Sequence, residues 1–159
     1  MKFLLTWLLA SLLSAAQAAP RVGEAQVRAD ANGLPCFTIA EREEQRSGTP
    51  DFEAIAVTEG QRLLWRMAMP GERTFPLSAS MCIPYGGRVS ALPQTPAASL
   101  KEGETYTTEV KARPGRSATT PLRYTARFRL GRRPDGSTTV HQLGEDERSG
   151  YDLPGRQPR

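Results

Sequence analysis

Two cysteines and one histidine are the scarce reactive groups of this 159-residue chain. Cys36 lies in LPCFTI and Cys82 in MCIPYG, with no CxxC anywhere. A nucleophilic thiolate needs a cationic or basic neighbour to lower its pKa. A disulfide needs only a second sulfur and an oxidising compartment. His141 is distant from both cysteines in sequence and reads as an exposed strand residue, with no visible partner for general-base work. HExxH, GxSxG, a P-loop and metal-spaced His/Cys clusters are all missing from the sequence. Glu145-Asp146-Glu147 offers oxygens to a calcium ion but lacks the EF-hand spacing, and reads as a solvated tail. The chain therefore reads as non-enzymatic, with no catalytic residue, metal site or cofactor.

The N-terminus says which compartment the thiols meet. Lys2 precedes an apolar run from Phe3 to Leu13, and Ala16-Gln17-Ala18 has the A-x-A form. That is a secretory signal peptide over residues 1–18, cut between Ala18 and Ala19. The run is too short to cross about 30 Å of hydrocarbon. No cysteine stands at the cut, so no lipid anchor is expected. The basic start and the A-x-A ending point to a Gram-negative periplasm. There, Cys36 and Cys82 are expected to pair. The bridge would close a loop of about 46 residues, worth ~4 kcal/mol in the chain-entropy model.

Those residues must be held by β-strands, because no window carries a long helical periodicity. GEAQVRAD and LPCFTIA, separated by Asn32-Gly33, read as a hairpin or a kinked edge. EREEQRSGTPD reads as a polar loop of mixed charge. FEAIAVTE alternates, with Ile55 and Val57 on one face. QRLLWRMAM puts Leu63, Trp65 and Met67 on one face and Arg62 and Arg66 on the other. RTFPL and MCIPYG read as short strands, and GRVSAL as a further candidate. TYTTEVKAR turns Tyr106 and Val110 inward. LRYTARFRL is the clearest case: Leu122, Tyr124, Ala126, Phe128 and Leu130 alternate with Arg123, Thr125, Arg127 and Arg129. STTVHQL adds a last strand. Fourteen glycines and 13 prolines punctuate these segments. The expected fold is all-β, one sandwich domain over residues 19–143, with residues 144–159 a flexible C-terminal tail.

LKEGETYTTEV, residues 100–110, resembles the L-x-P-G-x-x-Y-x-V-x-V stretch of fibronectin type III domains, with Glu102 in place of the proline and Thr108 in place of a valine. The resemblance implies that the Tyr106 hydroxyl bonds back to upstream backbone, and that Trp65 is the buried tryptophan of an immunoglobulin or fibronectin type III-like β-sandwich. The order Cys36, Trp65, Cys82 is also similar to that of immunoglobulin domains. However, Phe37 and Ile39 point opposite to Cys36, and Met81, Ile83 and Tyr85 opposite to Cys82. The bridge is therefore expected on the outer surface or at strand ends. Taken in order, LPCFTI, AIAVTE, LLWRM, CIPYG and LKEGETYTTEV resemble a family described as type VI secretion immunity periplasmic lipoproteins, over roughly residues 22–130. That resemblance implies a periplasmic β-domain that neutralises a toxic effector. The missing lipobox cysteine departs from the family pattern.

The net charge of +4 is too small to argue for nucleic acid. Its distribution is more informative. Adjacent strands would gather Arg62, Arg66, Arg123, Arg127 and Arg129 with Lys111 on one outward face, relieved mainly by Glu109. Guanidinium forks suit the carboxylates of a protein partner or an anionic cell-wall group. The bland alternative is an ordinary solvated face. Arg113-Pro114-Gly115-Arg116 would extend the basic region or be merely a turn. The expected function is a periplasmic binding protein with a protein partner, possible immunity role included; the alternative is an envelope or chaperone-like module that adds a strand at an open edge. The partner's identity and the oligomeric state lie beyond the sequence.

Overall fold

The computed structural model describes residues 20–87, 92–115 and 119–144. The expected signal peptide with its expected Ala18–Ala19 cut, most of GRVSAL, Arg116 and the tail from residue 145 lie outside them. The chain folds as β1 (Val22–Ala29), β2 (Pro35–Ile39), α1 (Glu41–Ser47), β3 (Asp51–Glu59), β4 (Arg62–Ala68), β5 (Phe75–Pro76), β6 (Ile83–Pro84), β7 (Thr105–Arg113), β8 (Arg123–Arg132) and β9 (Thr138–Leu143). The expected all-β class holds. One nine-stranded sheet runs in the order β4-β3-β7-β8-β1-β2-β6, with β5 on β3 and β9 on β8.

The sheet curls because β1 serves two neighbours. Val22–Glu24 pair in parallel with Arg123–Thr125 of β8, while Ala25–Ala29 pair antiparallel with β2. The β1–β2 turn is closed by Asp30, whose side chain accepts the Asn32 and Leu34 amides, with Gly33 at φ 77°. Bending at β1 carries β2 over the far strands and makes a half-barrel. The Phe37 ring then lies 5.6 Å from Phe128 of β8 and 6.3 Å from Trp65 of β4. Tyr85 closes the cluster edge-on to Trp65 at 5.4 Å. Trp65, Phe37, Tyr106, Tyr124 and Phe128 are all buried here. Tyr106 makes the turn-back expected of it: its hydroxyl receives the Lys101 amide at 2.7 Å and donates to the Lys101 carbonyl at 3.1 Å.

Four expectations need correction. EREEQRS is a helix, not a loop. Its acidic residues Glu41, Glu43 and Glu44 fill the first turn and Arg46 the last, which suits the helix dipole, and Gly48 ends it at φ 78°. In β4 the alternation fails at a bulge. Val57 faces Trp65 but Thr58 faces Leu63, so Leu64 is the extra residue. Leu64 is therefore buried, while Leu63 is half exposed at 49%. Leu122 precedes β8 and is likewise exposed at 48%, off the shared inner face. The strands bearing Trp65 and Tyr106 are not adjacent either, since β3 separates β4 from β7.

Cys36 and Cys82 form a disulfide across a Cα–Cα distance of 5.4 Å. It lies off the apolar face, as the parity of its neighbours implied. Cys36 is buried and Cys82 exposed, because residues 78–82 lie over the outer side of β2. Thr38 donates to the Ser78 carbonyl, and Arg28 to those of Ala79 and Met81. Such a bridge belongs to an oxidising, exported compartment. Among the described residues no helix is long and apolar enough to cross a membrane.

Candidate functional site

β8 builds the site by having two unlike faces. Tyr124, Ala126, Phe128 and Leu130 enter the core, which turns Arg123, Thr125, Arg127 and Arg129 outward. Register then decides what surrounds them. Arg123 lies opposite Lys111, Thr125 opposite Glu109, Arg127 opposite Thr107, and Arg129 opposite Thr105 on one side and His141 on the other. One strand further, Glu109 faces Ala56, and Ala56 faces Arg66. The outer face is thus a shelf of mostly short residues (Ala56, Thr107 and Thr125), with Glu109 in its middle, between Arg66 and the β8 arginines.

The electrostatics of this face are unbalanced. Lys111 and Arg123 are directly opposed like charges, which costs stability when nothing anionic intervenes. Glu109 gives partial relief, 3.6 Å from Arg123. Arg129 donates to Thr105 at 3.1 Å, while its buried Nε has no hydrogen-bond partner among the described residues. Arg66, Lys111 and Arg127 have no side-chain hydrogen bond or ion pair to any described residue. Arg62 does not join them. The Leu64 bulge inverts the alternation and puts Arg62 on the opposite side of β4 from Arg66, where it bonds Glu59 twice, at 2.5 and 3.1 Å. Of the five arginines singled out in the sequence, the register puts Arg66, Arg123, Arg127 and Arg129 on one outer face, with Arg66 on β4 separated from the β8 three by β3 and β7. Arg113, beyond them on β7, is tied to Glu72 at 2.8 Å and Glu53 at 3.6 Å, and this pairing raises its pKa.

Where β1 leaves β8, a cleft of about 870 Å³ opens. Arg123 and Arg127 form one wall and α1 contributes Arg42 and Arg46, with Arg21 at the base. Glu24 and Glu43 are its two carboxylates. Arg21 holds buried Glu43 at 2.7 Å and Ser47 at 2.9 Å, and Arg42 pairs with Glu24. Beneath Gly23 sits the ring of Tyr124, which any added Cβ would strike. Burial is the main cause that pushes the Tyr124 hydroxyl up to about 12, with the negative Glu43 adding to it. The far end of the fork is plugged by Gln142, whose Oε1 accepts the Val27 amide at 2.7 Å and whose Nε2 donates to the Ala25 carbonyl at 3.1 Å. A side-chain amide here replaces a strand.

Sequence reading missed Arg21, Arg42 and Arg46. Their one signal was the spacing of Arg42 and Arg46, which is i, i+4 once the segment is known to be helical. His141 is exposed on β9, as expected. Compared with family models, with curated proteins and with solved structures, the chain matches none.

Proposed function

We propose that this chain is a non-enzymatic periplasmic binding protein that captures an acidic protein partner on the outer face of its sheet, in the manner of an immunity protein against a secreted toxic effector. One observation carries the reading: Arg66, Lys111 and Arg127 surround a shelf of short side chains with Glu109 as the nearby carboxylate. Guanidinium groups exposed over a rigid sheet cost little to engage and match carboxylates in pairs. The immunity setting rests on the resemblance carried by LPCF and CIPYG. The finer fold reading, a fibronectin type III-like sandwich, rests on the return of Tyr106 to Lys101. The export half rests on the leader and on the Cys36–Cys82 bridge. On this reading, the mature chain recovered from periplasmic extract begins at Ala19 without lipid.

Strand addition at β4 is the weaker reading because the outer edge of that strand is already occupied. The Ala68 amide donates to the Pro93 carbonyl, the Thr95 amide to that of Arg66, and the Ala98 amide to that of Leu64. The Arg66 amide is taken by Thr95 Oγ1. These bonds leave little of that edge for a visiting strand.

The test is capture of the neighbouring gene product by the mature chain, followed by calorimetry on Arg123→Glu with Arg127→Glu. Affinity falls strongly while the fold survives, and added salt weakens the wild-type complex chiefly through slower association. Unchanged affinity with an intact fold overturns the reading and leaves these arginines as a solvated face.

A further inference from the structure

We infer that the cleft at the β1–β8 fork is an anchoring site for an acidic peptide segment, held by Arg46, Arg123 and Arg127; this deepens the binding-protein reading and rests on it for the partner's nature. Five arginines and two carboxylates line the cleft. Both carboxylates are already engaged, Glu43 by Arg21 and Glu24 by Arg42. The remaining positive charge is therefore available to a ligand. Arg46 and Arg127 carry no partner among the described residues, and Arg123 has only Glu109 at 3.6 Å. These three groups come from two elements, α1 and β8, so no single small anion defines the site.

Size and wall chemistry select the ligand class. About 870 Å³ is far more than an orthophosphate fills and lies within the usual ~300–1,000 Å³ of ligand sites. Backbone recognition is already spent at the end of the fork, because Gln142 satisfies the Val27 amide and the Ala25 carbonyl. What the cleft offers is side-chain charge at several points along its length. Successive carboxylates on a peptide match that offer, each meeting a guanidinium fork. The site is also braced: Arg21 ties α1 to the start of β1, and the Thr120 hydroxyl donates to the Ser47 carbonyl at 2.8 Å. These bonds fix α1 relative to β1, so the wall that carries Arg46 need not be ordered on binding.

The test uses the mature chain and a fluorescently labelled hexaglutamate peptide, read by anisotropy at low salt. Arg46→Glu with Arg127→Glu should weaken binding at least roughly ten-fold, while Arg66→Glu with Arg133→Glu, both exposed and neither lining the cleft, should change it less than about two-fold. Equal losses in the two pairs, or a cleft pair that binds like wild type, would overturn the inference. Displacement of the peptide by millimolar orthophosphate at constant ionic strength would overturn it too, by making this a simple anion site. Circular dichroism verifies folding. If the cleft pair does not fold, Arg46→Gln alone, at an exposed helix position, must still lower affinity several-fold. The two readings separate cleanly. A captured protein partner that is lost on Arg66→Glu but kept on Arg46→Glu sustains the binding-protein function and sinks the cleft. Cleft-specific peptide binding with no protein captured does the reverse.

Discussion

The two faces of β8 differ in what they leave unfinished. On the inner face, Phe128 meets Phe37 and Tyr106 with centroids 5.6 and 5.4 Å away. Leu130 and Ala126 complete a surface that water does not reach. On the outer face, at alternate positions of the same ten residues, Arg127 has no partner among the described residues and Arg123 only a distant one. The inner residues have filled their apolar contacts, although the Tyr124 hydroxyl and Trp65 Nε1 find no hydrogen-bond partner among the described residues, whereas the outer arginines have not met their charge. Substitutions inside should be read out as stability, and substitutions outside as binding.

The sharpest way to break that division is Trp65→Ala. Trp65 is fully buried against Phe37 and Tyr85, so its loss should cost about 3–5 kcal/mol by denaturant titration. A cost below about 1 kcal/mol would mean that the inner face is not the stabilising one. Next comes the bridge. Cys82→Ala should cost about 2–4 kcal/mol by reopening the loop. Cys36→Ala should cost somewhat more, since Cys36 is buried and Cys82 is not. Non-reducing peptide mapping should recover the linked pair, and free thiols in protein taken from the periplasm would contradict it.

The inner face also predicts a pH limit. Tyr85 and Tyr124 are raised to about 12, in both cases chiefly by burial. The unfolded chain ionises these phenols near the ordinary 10.0, so between 10 and 12 the native state binds more protons than the unfolded one. The stability contributed by these two phenols should therefore be constant below about pH 10 and be lost as pH rises toward 12. Phenolate absorbance checks this, with Tyr124→Phe moving the titration. A titration in which every tyrosine ionises at the ordinary value would refute the burial argument. The smallest effect sharpens the comparison from outside: Arg123→Glu with Arg127→Glu should shift stability by only about 0.5 kcal/mol. A large loss of stability would show that the outer arginines brace the fold.

Legibility followed the same division. The β8 alternation, the Asn32-Gly33 turn, inward Tyr106 and the cysteine pair were readable, because strand parity and turn chemistry act over a few residues. Three features were not. Leu64 looks like any strand residue in QRLLWRMAM, yet its bulge removes Arg62 from the basic face; a bulge is settled by how β4 meets β3. EREEQRS has no side-chain cap to announce a helix, and the helix is held by the Arg21–Glu43 pair from 22 positions away. The cleft arginines come from three separate segments and share no motif.

By itself, the sequence determined the all-β character of the chain, the bridge and the alternation of β7 and β8. Those properties follow from local periodicity and from the cysteine count. Only the tertiary structure decided that β1 divides between β8 and β2, that the half-barrel stacks Phe37 on Trp65, and that Arg42 and Arg46 meet Arg123 and Arg127 around one cleft. Such juxtapositions depend on which strands pair across long stretches of chain. The global minimum of core packing selects that pairing, and no short window of sequence encodes it.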